Sequence, residues 1–259
     1  LRPRGSRRDR RRVKPTGSAR EARTRPHEHP KKARPMRRFP LIALFIGLAG
    51  STWAQTAPSA REVAAYDGLF RAAHDGDVAK IEQLVAEGAD VNARDSRVRT
   101  PLHVAAFASE DKALEALALA GADMNALEHQ AYDVVTIAAV ANDPELMSLA
   151  IELGNDLGLV TSPYLGTALI AAAHLGHVEV VRRLIDAGAP LDHINNLHWT
   201  AMMEAVVLGD GGPNHQAVLD ALLSAGADRS LADRNGITPL QHAETRGFSE
   251  MVNRLKRSD

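Results

Sequence analysis

The sequence predicts an all-α solenoid of about six stacked helix-turn-helix units. Three observations carry that prediction. Gly-Ala-Asp-Val-Asn-Ala at Gly88 returns as Gly-Ala-Asp-Met-Asn-Ala at Gly121, and its opening glycine recurs at Gly154, Gly188 and Gly226, one unit about every 33 residues. A second phrase, Thr100-Pro101-Leu102-His103-Val104-Ala105-Ala106, keeps the same phase at 67–73, 133–139, 167–173, 200–206 and 238–244. Between the markers apolar residues fall at helical spacing, as in Leu169, Ala172 and Ala173 followed by Val178, Val181, Leu184 and Ile185. One copy cannot bury both stripes alone, whereas stacked copies can.

A period near 33 carrying Thr-Pro-Leu-His resembles the ankyrin-repeat family over residues 62–259, with copies at 62–94, 95–127, 128–160, 161–194, 195–232 and 233–259. The resemblance implies that projecting hairpins join the units and that these hairpins and the first helices line a binding groove. It also implies that His103, the motif histidine, has a structural hydrogen-bonding role.

The N-terminal part has a different character. The chain's formal charge of −1 hides 16 Lys/Arg against three acids in residues 1–38, which leaves the region beyond residue 54 near −14. Residues 36–54 run from Met36-Arg37-Arg38 through the apolar Leu41 to Gly50 to Ser51-Thr52-Trp53-Ala54, the order of a secretory signal peptide, with cleavage expected after Ala54. The uncharged stretch is shorter than the roughly 20 residues of a spanning helix. A membrane-tethered chain with this segment uncleaved is therefore the runner-up, and a periplasmic or secreted chain with a bacterial Sec-type signal is the expectation. Residues 1–35 are expected to lie upstream of a natural start at Met36 or to be disordered; the rival is a basic arm for nucleic acid. Residues 55–61 are a linker. Cysteine is absent, so neither disulfides nor thiolate metal sites are available.

Each copy carries its own helix boundaries. Thr100, Thr167, Thr200 and Thr238 are expected N-caps, with Asp67 and Asp133 supplying the oxygen where threonine is missing. Pro101 and Pro239 follow at the first helical position. Gly76, Gly176, Gly209 and Gly247 are expected to end first helices, and the Gly88 series to end second helices. The pairs Ala72-Ala73, Ala105-Ala106, Ala138-Ala139 and Ala172-Ala173 let neighbouring first helices approach, which curves the stack. The fifth copy is longer because of 209–215, whose glycines and proline argue for a longer link rather than a longer helix. The sixth puts Lys256 where others have Val85, Ile151, Ile185 or Leu223, marking a solvated outer end and an expected complete domain.

No nucleophile elbow, phosphate loop or His-Glu-x-x-His is present, so neither catalysis nor a cofactor is expected. His193 and His198 flank one hairpin and are the local pair on which a small-molecule or metal-binding alternative rests, though a third ligand is missing.

Partner contacts are expected at two slots. The one before the cap reads Arg99, Tyr132, Gly166, Trp199 and Ile237, where burial by the repeat is not expected. The one after the alanine pair reads His74, Phe107, Val140, His174 and Val207. Between Lys112 and Arg182 there are nine acids and no Lys or Arg, a field that repels nucleic acid and favours a basic partner. The expectation is a monomeric, non-enzymatic scaffold that holds a protein partner, without stable membrane insertion after signal cleavage.

Overall fold

In the computed structural model, residues 55–257 are described; the expected leader and signal segments lie outside them. The first helices of the copies are α2 (Gly68–Asp75), α4 (Pro101–Ala108), α6 (Val134–Ala141), α8 (Ala168–Leu175), α10 (Ala201–Val207) and α12 (Pro239–Thr245). Each pairs with a second helix: α3 (Val78–Ala86), α5 (Asp111–Leu119), α7 (Pro144–Glu152), α9 (Val178–Asp186), α11 (Pro213–Ser224) and α13 (Ser249–Lys256). First helices stack on first helices and second on second, giving two parallel rows. A short helix not anticipated from the repeat, α1 (Ala60–Ala65), precedes them; Ser59 and Glu62 close it with reciprocal caps. Among the described residues there is no strand, only an isolated bridge between Thr161 and Gly166.

The core runs through the seam between the rows. Leu102, Leu114, Leu117, Ile137, Leu146, Met147, Leu169, Leu184, Met202, Leu219 and Leu222 are buried in it, as are the alanine pairs. Helix α6 shows what the stack can override. Its Val-Val-Thr-Ile start is weakly helical by propensity, yet all four residues are buried between α4 and α8, and packing outweighs their loss of rotamer freedom.

The cap threonines accept as expected: Thr100 from the His103 amide, Thr167 from Ile170, Thr200 from Met203 and Thr238 from Gln241. Asp133 does the same from Thr136, but Asp67 makes no side-chain cap, so the carboxylate does not substitute there. Gly76 and Gly176 close their helices in the left-handed conformation; Ser109 and Asn142 adopt it in copies two and three. The fifth-copy insertion also differs from expectation. Residues 209–212 form the link, but Pro213 sits at the first position of α11, where its missing N–H costs nothing, and α11 reaches 12 residues against nine in α9. Lys256 is exposed and pairs with Glu244 at 2.7 Å, so the sixth copy does present a polar outer face.

Candidate functional site

Four of the hairpins are built by one side chain each, while that of residues 161–166 is closed by a backbone bridge between Thr161 and Gly166. Asp95 Oδ1 accepts from the amides of Arg97 and Arg99, Glu128 Oε1 from Gln130 and Tyr132, Asn195 Oδ1 from Leu197 and Trp199, and Asp233 Oδ1 from Asn235 and Ile237. An acceptor at this position satisfies two backbone donors that no strand partner could reach. Burial lifts the Glu128 carboxyl above its ordinary range, against the pull of those amides. Neighbouring hairpins then bond to one another: His129 donates to the Arg97 carbonyl, Ser162 to Ala131, and Asn196 to Tyr164, at 2.8–2.9 Å. The tips form a continuous ribbon along one edge.

This construction corrects the first expected contact slot. Arg99 is 1% exposed and Tyr132 6%, so neither is offered to a partner. The Arg99 guanidinium turns inward because two carboxylates wait there: Asp95 Oδ2 at 2.8 Å from Nε and Glu62 Oε1 on Nη2. Tyr66 completes the cluster by donating its phenol to Asp95 at 3.0 Å. The hydrogen bond from Ser59, with Arg99 beside it, lowers the Glu62 carboxyl to about 2 despite opposing desolvation. Tyr132 bonds His103 Nε2 through its carbonyl at 3.1 Å, and burial pushes its phenol up to about 12. Gly166 is buried as well, whereas Trp199 and Ile237 are half-buried.

The second slot is more open. His74, Phe107, Val140, His174 and Val207 are all half-buried, one per first helix, beside fully buried alanines. In copies two and three this row is apolar. At copy five a carboxylate enters beside it: Glu204 is buried, its Oε1 accepting from Asn195 Nδ2 at 2.8 Å. Its Oε2 lies 3.1 Å from His174 Nδ1, without hydrogen-bond geometry. In copy six, His242 Nε2 meets Asp233 Oδ2 at 2.9 Å.

His103 has the structural role implied for it. Its Nδ1 lies 2.8 Å from the Thr100 hydroxyl and Nε2 bridges to the next hairpin, while burial lowers its pKa to about 4. His193 Nε2 is engaged with the Leu165 carbonyl at 2.8 Å, which ties two hairpins together. Among the described residues no group of three or more His, Asp or Glu could hold a metal ion.

The acidic middle is partly structural. Asp123, Glu128, Asp133, Asp143 and Asp156 each accept from a nearby backbone amide, while Glu115, Glu145, Glu152 and Glu179 are exposed. Sequence reasoning missed a group at the tips of copies four and five: Val160, Tyr164, Leu165, Ile194 and Leu197 are all exposed. The signal that could have found it is a run without Asp, Glu, Lys or Arg from 157 to 178.

A family model for ankyrin repeats, in three copies, matches residues 135–233. The putative ankyrin repeat protein YahD of Escherichia coli is 34% identical over 185 residues, 71% of this chain and 92% of its own. Among solved structures, an ankyrin repeat domain from Acinetobacter baumannii is 42% identical with a TM-score of 0.69, covering 72% of this chain and 95% of that one. The ankyrin repeat protein EF0377 is 28% identical with a TM-score of 0.69, covering 75% of this chain and all of that one (100%). The chain thus belongs to the ankyrin-repeat family, whose repeats are typical protein–protein interaction scaffolds and generally non-enzymatic.

Proposed function

We propose that this protein is a monomeric, non-catalytic scaffold that captures a basic protein partner in an exported compartment, periplasmic or secreted. The observation that carries the reading is the half-exposed row His74, Phe107, Val140, His174 and Val207, repeated at one slot of five successive first helices. Such a row has no packing role on its outward side, and apolar and aromatic side chains that remain accessible are favoured interface anchors. Trp199 and Ile237 extend it toward the hairpins. The exposed carboxylates of the base-free stretch add a field that attracts a basic surface and repels nucleic acid.

Export rests on residues 36–54, whose basic, apolar and small-residue order is that of a cleaved signal. No helix among the described residues is long and apolar enough to cross a membrane. The test is affinity capture from the exported fraction with wild-type protein and a Phe107→Asp, Val140→Asp variant. Loss of one partner band in the variant, with an unchanged melting temperature, is the expected outcome; equal capture by both removes the inner-helix face from the reading. N-terminal sequencing of the natural protein is expected to begin at Gln55. A retained apolar segment there would replace export in soluble form with a membrane tether.

A further inference from the structure

We infer that the fifth-copy insertion is a proton-operated latch: in acid the His215 ring is clamped between the Asp210 carboxylate and the His174 carbonyl, and in alkali the Asp210 amide replaces the carboxylate. The inference is independent of the scaffold reading and gives a role to residues 209–215. They lie at a turn between a first and a second helix, at the other end of the helix pairs from the hairpins.

The site is built around the ring. Pro213 starts α11 and sets His215 in its first turn, where the side chain is 12% exposed and reaches back to the preceding copy. A Cβ on Gly176 would lie 3.1 Å from that ring and one on Gly209 2.7 Å, so both residues leave room for it. The link is pinned as well. Phe248 packs on Gly211, Gln216 Nε2 donates to the Gly211 carbonyl at 2.8 Å, and Arg246 donates to the Gly209 carbonyl at 2.9 Å. A loop tolerated only for its length needs none of these contacts.

Hydrogen-bond accounting then fixes the chemistry. His215 Nε2 is 2.9 Å from the His174 carbonyl, in the last turn of α8, and Nδ1 is 2.8 Å from Asp210 Oδ1. A carbonyl and a carboxylate only accept, so both ring nitrogens must donate, and only the imidazolium has two N–H groups. The arrangement is that of a charged ring. A neutral ring keeps one proton, the Nε2 bond to α8 holds it there, and Nδ1 is left as an acceptor. Its donor is in place: the Asp210 amide stands 3.5 Å from Nδ1. Proton loss therefore moves Nδ1 from the Asp210 carboxylate to the Asp210 amide and frees the carboxylate, which keeps its bond from the Gly212 amide at 2.8 Å.

Neighbouring charges support that direction. The Gly212 amide and then His215 hold the Asp210 carboxyl below its ordinary range, so it is still charged when a histidine protonates. The C-terminal end of α8 favours a positive ring, and Asp210 offsets the opposing N-terminal end of α11. His177 behaves in the opposite sense. Its Nδ1 is engaged with the Ala139 carbonyl at 2.8 Å, and burial, reinforced by the charges of His215 and His174, pushes its pKa down. The unfolded chain takes that proton first, so His177 costs stability as pH falls from about 6.5 while the latch tightens. On the other elements packed against α11, His174 lies 3.1 Å from Glu204, Glu179 pairs with Arg183 and Glu250 with Arg254, each at 3.3 Å. Arg182 and Asp186 meet α11 only from Ala217 onward, and Arg246 keeps its charge throughout. Global melting mixes these signs, so the latch must be read locally.

The test is nuclear magnetic resonance of the isotope-labelled full chain, with ring correlations that report which imidazole nitrogen carries a proton. At about pH 8 the His215 ring is expected as the Nε2–H tautomer, and at about pH 5.5 with both nitrogens protonated. Over the same step the Asp210 amide, released from Nδ1, should lose about threefold in hydrogen-exchange protection relative to the Gly212 amide, the size expected where one partner is exposed. In Asp210→Asn the ring should take its second proton about half a pH unit lower than in wild type, the same threefold. His215→Gln keeps a donor for the His174 carbonyl, does not titrate, and should give a flat amide ratio. An Nδ1–H tautomer at about pH 8, an unchanged amide ratio in wild type, or an Asp210→Asn titration superimposable on wild type would each overturn the latch. The tautomer is read on the unmodified chain, so that arm stays decisive even where a variant fails to fold.

Discussion

The second and fifth copies build their hairpins in the same way and use what is left over differently. Asp95 and Asn195 occupy one slot, and each gives an oxygen to the amides two and four residues on. In copy two the remaining carboxylate oxygen draws in Arg99, which reaches across to Glu62 on α1 and so anchors the N-terminal helix. In copy five the remaining atom is an amide nitrogen, and it finds Glu204 on α10 at the edge of the inner-helix row. The repeat therefore dictates one hydrogen-bonding role per slot and leaves the second atom to specialise. One copy uses it to close the end of the stack, the other to place a carboxylate beside His174 on the face proposed for binding.

The sharpest way to break this comparison is to remove the charge at the closed end. Arg99→Ala leaves Asp95 without its guanidinium and Glu62 with only Arg97, 3.7 Å away, and unfolding free energy should fall by about 3 kcal/mol, the low end of the cost of orphaning half of a buried ion pair. Denaturant unfolding that shows a loss below about 1 kcal/mol would mean that water replaces the guanidinium. Tyr132→Ala should cost roughly 3 kcal/mol as a core truncation, and Trp199→Ala distinctly less, because Trp199 is only half-buried. Equal losses would place both residues in the same environment.

Acidification should weaken the fold through two groups. His103 is held neutral by burial, with its pKa lowered to about 4, so the unfolded chain binds the extra proton first and stability falls from about pH 6.5 toward 4. Glu62 has a lowered pKa, so its contribution is present above its ordinary value of 4.5 and lost as pH falls toward about 2. Melting temperatures of His103→Gln should be flatter than wild type between pH 6.5 and 4. An unchanged slope would assign that window to other groups. The smallest effect belongs to copy five: Glu204→Gln keeps an acceptor for Asn195 and should shift stability by less than about 1 kcal/mol. A larger loss would show that the charge facing His174 holds the fold.

Much of this architecture was legible because it is local and repeated. The cap threonines, Pro101, Pro239 and the apolar stripes all act within one copy, so a one-dimensional pattern is enough to place them. The misplaced elements depend on atoms far along the chain. Arg99 was expected at the surface because its partner Glu62 is 37 residues away, in a helix outside the period. Tyr132 was misjudged because its burial is set between copies, where His103, 29 residues earlier, already bonds its carbonyl. The longer α11 was hidden by treating Pro213 as a breaker, although proline at the first helical position starts a helix as readily as it ends one. The exposed Tyr164, Leu165, Ile194 and Leu197 were passed over because the packing of neighbouring copies, not a local pattern, decides which loop side chains stay in solvent.

The sequence by itself determined the period, the helix pairs and the charge of each region, because caps, glycines and apolar spacing act over a few residues of backbone. Only the tertiary structure decided which side chains of a repeated slot face inward. That choice depends on the neighbour each copy meets: a carboxylate from the N-terminal helix α1 holds Arg99 inward, while hairpins tied to each other leave Leu165 and Leu197 in solvent.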